Sequence, residues 1–172
     1  MSKKCDLVTY RKATKEDVPA IQAFVDKAKI LMDGQGIPQW DEIYPTCEDF
    51  YGDAEKNELY VGEVDGIPAV CFTLNQFQDE AYLKVQWENP DDDFMVIHRL
   101  CVNPEFQGMG IGFKTCRYIE DLVRGKNCHS IKLDAFTQNP ISLAMYEKLG
   151  YKTMGYADWR KGRFKLMELL LK

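Results

Sequence analysis

The order of strand and helix patterns predicts a mixed α/β fold, one sheet of about seven strands carrying helices. Three observations support this. Seven segments have strand character and are separated by helical periodicities or turn residues. Asp65-Gly66 lies between two of them and is a strong two-residue hairpin signal. Phe94–Phe136 reads as strand, helix, strand, which favours a right-handed parallel crossover.

The elements follow in order. Leu7–Arg11 is short and β-rich. Thr14-Lys15-Glu16-Asp17 opens a helix: Thr14 can cap, Asp17 sits near the positive end, and Pro19 is tolerated in the first turns. Val18, Ile21, Val25, Ala28 and Leu31/Met32 recur at helical spacing, and Gly34 and Gly36 end the run. After an aromatic loop with Trp40, Tyr44 and Pro45, a short helix is expected over Cys47–Lys56. Leu59–Val64 and Ile67–Gln76 are strands joined at Asp65-Gly66, and Glu88–Asp93 is a loop.

Phe94–Val102 is a strongly apolar strand ended by Asn103-Pro104. A helix opens near Gly110, with Ile111, Thr115, Tyr118/Ile119 and Leu122 inward; Lys114, Arg117, Asp121 and Arg124 fall largely outside that stripe. Ser130–Phe136 is a strand. Asn139-Pro140 starts a helix, with Asn as cap and Pro in the first turn, and Gly150 stops it. Tyr151–Trp159 and Phe164–Leu171 alternate as strands around a turn at Lys161-Gly162.

Composition narrows the function. The 172 residues fit a single domain (1–172) able to bury a full core, with 45% hydrophobic and 28% charged residues. Twenty-two Lys+Arg against 27 Asp+Glu give a charge of −5, which argues against non-specific binding to nucleic acid or acidic membranes. No apolar run approaches the ~20 residues of a membrane span. The polar start, Met1-Ser2-Lys3-Lys4-Cys5-Asp6, lacks the apolar core of a secretory signal, so a cytoplasmic protein is expected. The six cysteines form no C-x-x-C pair and the two histidines, His98 and His129, are far apart, so reduced thiols and no metal are expected.

Chemistry concentrates in His98-Arg99-Leu100-Cys101-Val102-Asn103-Pro104-Glu105-Phe106-Gln107-Gly108-Met109-Gly110-Ile111-Gly112-Phe113-Lys114. A strand runs through a short loop into glycines that open a helix. Glycine permits unusual dihedrals and close approach of a ligand, and a helix start offers free N–H groups and a positive dipole end. A phosphate or pyrophosphate is the natural ligand. The glycines fall at every second position, which is not the dinucleotide G-x-G-x-x-G spacing, and no G-K-[ST] closes the segment.

Gln107-x-x-Gly110-x-Gly112 after Leu100-Cys101-Val102 resembles the acetyl-CoA signature of the GNAT superfamily of N-acetyltransferases. Asn139-Pro140-x-Ser142-x-Ala144-x-Tyr146-Glu147-Lys148-Leu149-Gly150-Tyr151 is similar to that superfamily's second motif, and Tyr10-Arg11-Lys12-Ala13-Thr14-x-x-Asp17 to its usual start. The resemblance covers essentially the whole chain. It implies a mixed, mostly antiparallel sheet with helices on both faces, and acetyl-CoA as co-substrate.

By the same resemblance, backbone N–H groups of Gln107, Gly108, Met109, Gly110, Ile111 and Gly112, with Phe113, cradle the pyrophosphate. Leu100, Cys101 and Val102 pair with the pantetheine arm, and one of their amides polarises the thioester carbonyl. Asn139 holds the pantetheine side. Tyr146 stands near the sulfur and protonates the departing thiolate.

The reaction implied is direct transfer to a primary amine, with backbone donors stabilising the oxyanion and without metal or acyl-enzyme. His98 is the first candidate for the base, because period two puts it on one strand face with Leu100 and Val102 and its ring titrates near neutrality. Glu63 and water are alternatives. Trp40, Tyr44 and Asp41-Glu42 suit a cationic amine, or else form a surface loop anchored by its aromatics. Lys114, Arg117 and Lys148 either screen coenzyme phosphates or are a solvated face. Cys101 as an acyl nucleophile has no base placed beside it. The expected partner is a small-molecule amine, with homodimer formation left open. Two other functions compete: a CoA-binding interaction module without catalysis, and an acetyltransferase of protein N-termini.

Overall fold

The computed structural model describes residues 8–172. Seven strands, β1 (Val8–Lys12), β2 (Leu59–Val64), β3 (Ile67–Asn75), β4 (Phe94–Val102), β5 (Ser130–Phe136), β6 (Lys152–Trp159) and β7 (Gly162–Leu170), form one sheet in the order β1-β2-β3-β4-β5-β7-β6. The β1–β2, β2–β3, β5–β7 and β6–β7 pairs are antiparallel and β4–β5 is parallel. The helices are α1 (Val18–Gly34), α2 (Cys47–Glu55), α3 (Glu80–Leu83), α4 (Ile111–Gly125) and α5 (Pro140–Leu149). This is the mixed sheet with helices that the sequence leads one to expect. The first position of the expected Leu7–Arg11 strand lies outside the described residues. Among those described, no helix is long and apolar enough to cross a membrane.

The chain forms two compact units: residues 8–74 with Arg99–Thr115, and Asn75–His98 with Cys116–Lys172. In the first, α1 and α2 bury Val18, Ile21, Phe24, Val25, Ala28, Phe50 and Ala54 against Leu59, Val61, Cys71 and Cys101. A second cluster joins Val64, Ala69, Val70 and Ile111, with Tyr10, Leu100, Val102, Phe106 and Met109 packed on it. Neighbours such as Val70 and Cys71 fall in different clusters because strand side chains alternate between faces. The hairpin closes as expected: Asp65 and Gly66 both have positive φ (52° and 78°), the combination a two-residue type I′ turn demands, and Val64 pairs with Ile67.

In the second unit, Tyr82, Phe94, Val96, Ala157 and Leu166 make the core, with Val85, Trp87 and Trp159 packed against it. Two buried charges sit there. Lys132 donates from Nζ to Gln78 Oε1 at 2.8 Å and lies 3.8 Å and 4.6 Å from the ring centroids of Phe94 and Trp87. Burial lowers its pKa. Glu168 accepts the backbone N–H of Glu88 (2.8 Å) and of Asn89 (3.3 Å).

Several expectations need correction. Leu31 is exposed, and Lys29 takes the inward place in the last turns of α1, donating from Nζ to the Pro45 carbonyl at 2.7 Å. On α4, Tyr118 and Leu122 are only half-buried, whereas Cys116, Glu120 and Val123 are buried with Ile111, Thr115 and Ile119. Burying Glu120 is tolerable because Arg117 donates to both its oxygens, at 3.0 and 3.1 Å. The last turn is Arg160-Lys161, and Gly162 opens β7 paired with Trp159. The single turn α3 was not foreseen, since four residues carry no readable helical period; the Asp79 carboxylate starts it by accepting from Ala81 N–H at 3.0 Å.

The opening turn carries an acid-sensitive ion pair. Arg11 grips both oxygens of Asp17 (2.8 and 2.7 Å) and donates to Glu63 (2.8 Å), while Asp17 also accepts Thr14 N–H at 2.7 Å. Hydrogen bonding from Arg11, which outweighs burial, holds the Asp17 carboxyl down at about 2. A carboxyl whose folded pKa lies below its unfolded value stabilises fully above the ordinary range and loses that stability as pH falls through the folded pKa. Asp17→Asn should therefore flatten the acid limb of the stability curve between about pH 4 and pH 2, removing about 1 kcal/mol at neutral pH for this half-exposed pair. Urea titrations across pH check this, and parallel curves for variant and wild type would refute it.

Candidate active site

β4 carries a backbone kink. Arg99 has φ = +52°, the left-handed region that β-strand residues other than glycine rarely enter. Its guanidinium donates to Asp53 from Nε (2.8 Å to Oδ2) and Nη2 (2.6 Å to Oδ1), and from Nη1 to the Tyr44 hydroxyl (3.0 Å). Thr73 on β3 donates its hydroxyl to Asp53 Oδ2 at 2.7 Å. Burial opposes the Arg99 charge, but Tyr44 and Asp53 outweigh it and raise its pKa above the ordinary guanidinium value.

The kink interrupts the alternation of β4 between His98 and Leu100. Strict alternation fails where Arg99 turns left-handed, so period two does not carry a shared face from His98 to Leu100 and Val102. Beyond the kink, Cys101 joins the cluster under α1, and Leu100 and Val102 join the other cluster.

The strand then passes into the glycine loop. Asn103 ties the join to β3: its N–H donates to the Ala69 carbonyl (2.7 Å) and its Nδ2 to the Pro68 carbonyl (2.9 Å). Its Oδ1 accepts from Glu105 N–H at 3.1 Å and starts a short 3-10 turn over Pro104–Phe106. Phe106 and Met109 pack inward while Gly108 and Gly110 adopt φ of +77° and +74°. A side chain in that conformation is strained, and no atom lies within 4 Å of where a Cβ at Gly108 would stand. The backbone is thus both contorted and uncovered there. The first helical bond of α4 runs from Lys114 N–H to the Gly110 carbonyl at 3.1 Å. The N–H groups of Ile111, Gly112 and Phe113 belong to the first turn of α4.

Leu100, Cys101, Val102 and the run Gln107–Phe113 therefore lie on one continuous segment of the first unit. His98, Asn139 and Tyr146 belong to the second. His98 Nε2 is 2.8 Å from Asn75 Oδ1, which also accepts Phe77 N–H at 2.9 Å. An amide oxygen accepts, so Nε2 is the donor of this bond. Asn139 caps α5, its Oδ1 accepting from Ser142 N–H at 3.1 Å. Tyr146 is buried, its ring edge-on to Tyr151 at 5.6 Å between centroids. Burial, with Cys116 and Asp134 as neighbours, pushes its hydroxyl well above the usual phenol range, so it stays protonated. The buried Tyr151 hydroxyl has no hydrogen-bond partner among the described residues.

The aromatic loop is anchored. Trp40 packs on the core under α1, and the Asp41 carboxylate accepts the N–H of Ile43 (3.1 Å) and Tyr44 (3.3 Å). Tyr44 reaches Arg99. The Arg99–Asp53–Thr73 network was missed from the sequence: Asp53 sits in an ordinary amphipathic helix, and no residue pattern signals a positive φ at an arginine.

The fourth strand of this seven-stranded mixed sheet feeds a glycine-led helix start, and comparison with known proteins supplies the class. The sequence model described as the acetyltransferase (GNAT) family matches residues 30–151, and the chain belongs to that family. YesJ of Bacillus subtilis (strain 168), described as an uncharacterized N-acetyltransferase, is 23% identical over 145 residues, 83% of this chain and 81% of YesJ. A GNAT-family acetyltransferase structure from Streptococcus agalactiae 2603 superposes with a TM-score of 0.84 at 20% identity, covering 96% of each chain. The yncA structure from Salmonella typhimurium, solved with its cofactor acetyl-CoA, gives a TM-score of 0.70 at 18% identity over 96% of this chain and 95% of its own.

The thiols bear on the chemical route. Burial pushes Cys101 up to about 12, and does the same to Cys116. Cys71 is raised well above its usual range. A thiol must ionise to attack or be alkylated. Iodoacetamide at pH 8 should therefore label exposed Cys47 and half-buried Cys128 and spare Cys71, Cys101 and Cys116 in the folded protein. Peptide mapping reads this out, and rapid labelling of Cys101 would contradict its burial.

Proposed function

We propose that this protein transfers the acetyl group of acetyl-CoA directly to a primary amine of a small molecule, in a ternary complex and without an acyl-enzyme. The observation that carries the reading is the uncovered left-handed backbone at Gly108, followed by left-handed Gly110, ahead of the first turn of α4. A helix start presents N–H donors and the positive end of its dipole, which suits a pyrophosphate. Gln107 to Gly112, with Phe113, hold it through backbone N–H groups, and the backbone of Leu100, Cys101 and Val102 lies along the pantetheine arm. Acetyl-CoA supplies the activated acyl group as a thioester.

In the step itself the amine nitrogen bonds to the thioester carbon and the C–S bond breaks. Backbone N–H groups of Leu100 to Val102 take up the charge that grows on the carbonyl oxygen. Tyr146 gives its phenolic proton to the leaving sulfur, and burial that keeps the phenol neutral supports the role. The amine's surplus proton goes to His98 Nδ1 or through water; the Nε2–H bond to Asn75 supports a lone pair on Nδ1. The raised Cys101 pKa favours direct transfer over an acyl-cysteine.

A panel of polyamines, amino acids, arylalkylamines, aminoglycosides and short peptides, followed by thiol release from acetyl-CoA, tests the reading. Turnover on a small amine is expected. Turnover confined to peptides would replace the small-amine acceptor with a protein N-terminus, and acetyl-CoA binding with no turnover on any amine would favour a non-catalytic module.

Tyr146→Phe should keep the edge-on packing, fold stability and acetyl-CoA affinity, and lower the single-turnover rate by ~10²–10⁴-fold, the usual range for a general acid. An unchanged single-turnover rate removes Tyr146 from the mechanism. For His98, the low-pH limb of the kcat/KM profile, expected near pH ~6–7 for an imidazole, should vanish in His98→Ala. A limb that survives unchanged assigns the proton to another acceptor.

A further inference from the structure

We infer that Asp53, acting through Arg99, is a positioning residue that sets the left-handed kink of β4 and so aims the backbone N–H groups of Leu100 to Val102 at the thioester carbonyl. This rests on the acetyl-transfer reading above and adds to it the device that orients the carbonyl-polarising backbone.

Arg99 has no local reason to adopt φ = +52°. Glycine enters that region freely, and Asn or Asp can favour it through a short polar side chain; arginine has neither advantage. Strained backbone of this kind persists only where the surroundings over-determine it, and such positions cluster at functional sites. Here the constraint is visible atom by atom. Asp53 takes one edge of the guanidinium through two N–H groups, at 2.6 and 2.8 Å, in the fork geometry that fixes orientation as well as distance. Asp53 is itself fixed by the Thr73 hydroxyl at 2.7 Å. The Tyr44 hydroxyl accepts from Nη1 at 3.0 Å, and the Cys71 thiol faces the Arg99 carbonyl at 3.8 Å.

The chemistry of the clamp favours a positional role over a stabilising one. Asp53 is 6% exposed and the Arg99 side chain 15%. A buried ion pair seldom stabilises a fold more than apolar residues of the same volume would, but it does hold groups in one geometry. The kinked residue is followed directly by Leu100, Cys101 and Val102, the stretch whose amides the mechanism uses. The same guanidinium reaches Tyr44 in the loop carrying Trp40 and Asp41, so one side chain ties that loop to the strand that orients the carbonyl.

Two double variants that lack the clamp and differ by one Cβ separate backbone conformation from side-chain chemistry. Asp53→Ala with Arg99→Ala removes both charges together and leaves an L-residue that relaxes toward negative φ. Asp53→Ala with Arg99→Gly removes the same charges but leaves a residue at ease with φ = +52°. Three quantities are measured: acetyl-CoA affinity by calorimetry, the infrared frequency of the bound [1-13C]acetyl thioester carbonyl, and the single-turnover rate on a good amine.

Wild type should shift the carbonyl to lower frequency on binding. The Ala variant should lose that shift and ~10²-fold or more in rate, the scale of one lost oxyanion donor. Its affinity should stay within a few-fold, because the glycine loop is untouched. The Gly variant should recover the shift and most of the rate. Both variants keeping the wild-type frequency and rate would overturn the inference, as would both losing them equally, which would assign the effect to the arginine side chain. If the Ala variant does not fold by circular dichroism, Arg99→Lys takes its place. It keeps the charge opposite Asp53 without the fork, and an unchanged carbonyl frequency there overturns the inference. Wild type that binds acetyl-CoA without a carbonyl shift overturns the amide assignment and the inference with it. Wild type that does not bind acetyl-CoA overturns the acetyl-transfer reading itself.

Discussion

A guanidinium gripped along one edge by a buried carboxylate holds β4 in a conformation its own residues would not choose. The segment that follows depends on that constraint. From the left-handed Arg99 the backbone runs through Leu100–Val102, is pinned to β3 by two bonds from Asn103, and enters a loop whose glycines turn left-handed twice before α4 begins. Backbone N–H groups that neither strand nor helix satisfies are costly in isolation, and become useful when a ligand supplies the acceptor.

In the second unit, burial governs the protonation of Tyr146. Tyr146 is kept neutral because ionising it would strand a phenolate among apolar neighbours and Asp134. His98 is held to one tautomer by an amide oxygen that already accepts a backbone proton. Buried thiols move the same way: with their ionisation suppressed, Cys71, Cys101 and Cys116 behave as small apolar side chains.

Charges buried elsewhere hold secondary elements in place. Lys132 under Phe94 and Trp87, and Glu168 beneath the N–H groups of Glu88 and Asn89, tie the irregular stretch after α3 to β5 and β7. Lys29 does the same for the loop at Pro45. Glu168 and Lys29 satisfy backbone groups that a loop cannot pair within itself.

The local elements were legible from the residues alone because their causes are local. Periodicity marked α1, α4 and the strands, Asp65-Gly66 marked the hairpin, and Asn139-Pro140 with Gly150 bounded α5 to the residue. Two motifs in the right order pointed to acetyl-CoA chemistry, and the family match bears out that class. Tertiary structure alone decided the rest, because it depends on partners distant in the chain. The inward place on α1 went to Lys29 rather than Leu31, since the Pro45 carbonyl waits for an ammonium. The α4 stripe turned toward Cys116, Glu120 and Val123, since Arg117 makes the buried carboxylate tolerable. The kink at Arg99 could not be read from a strand pattern, because its cause is a carboxylate 46 residues away on α2.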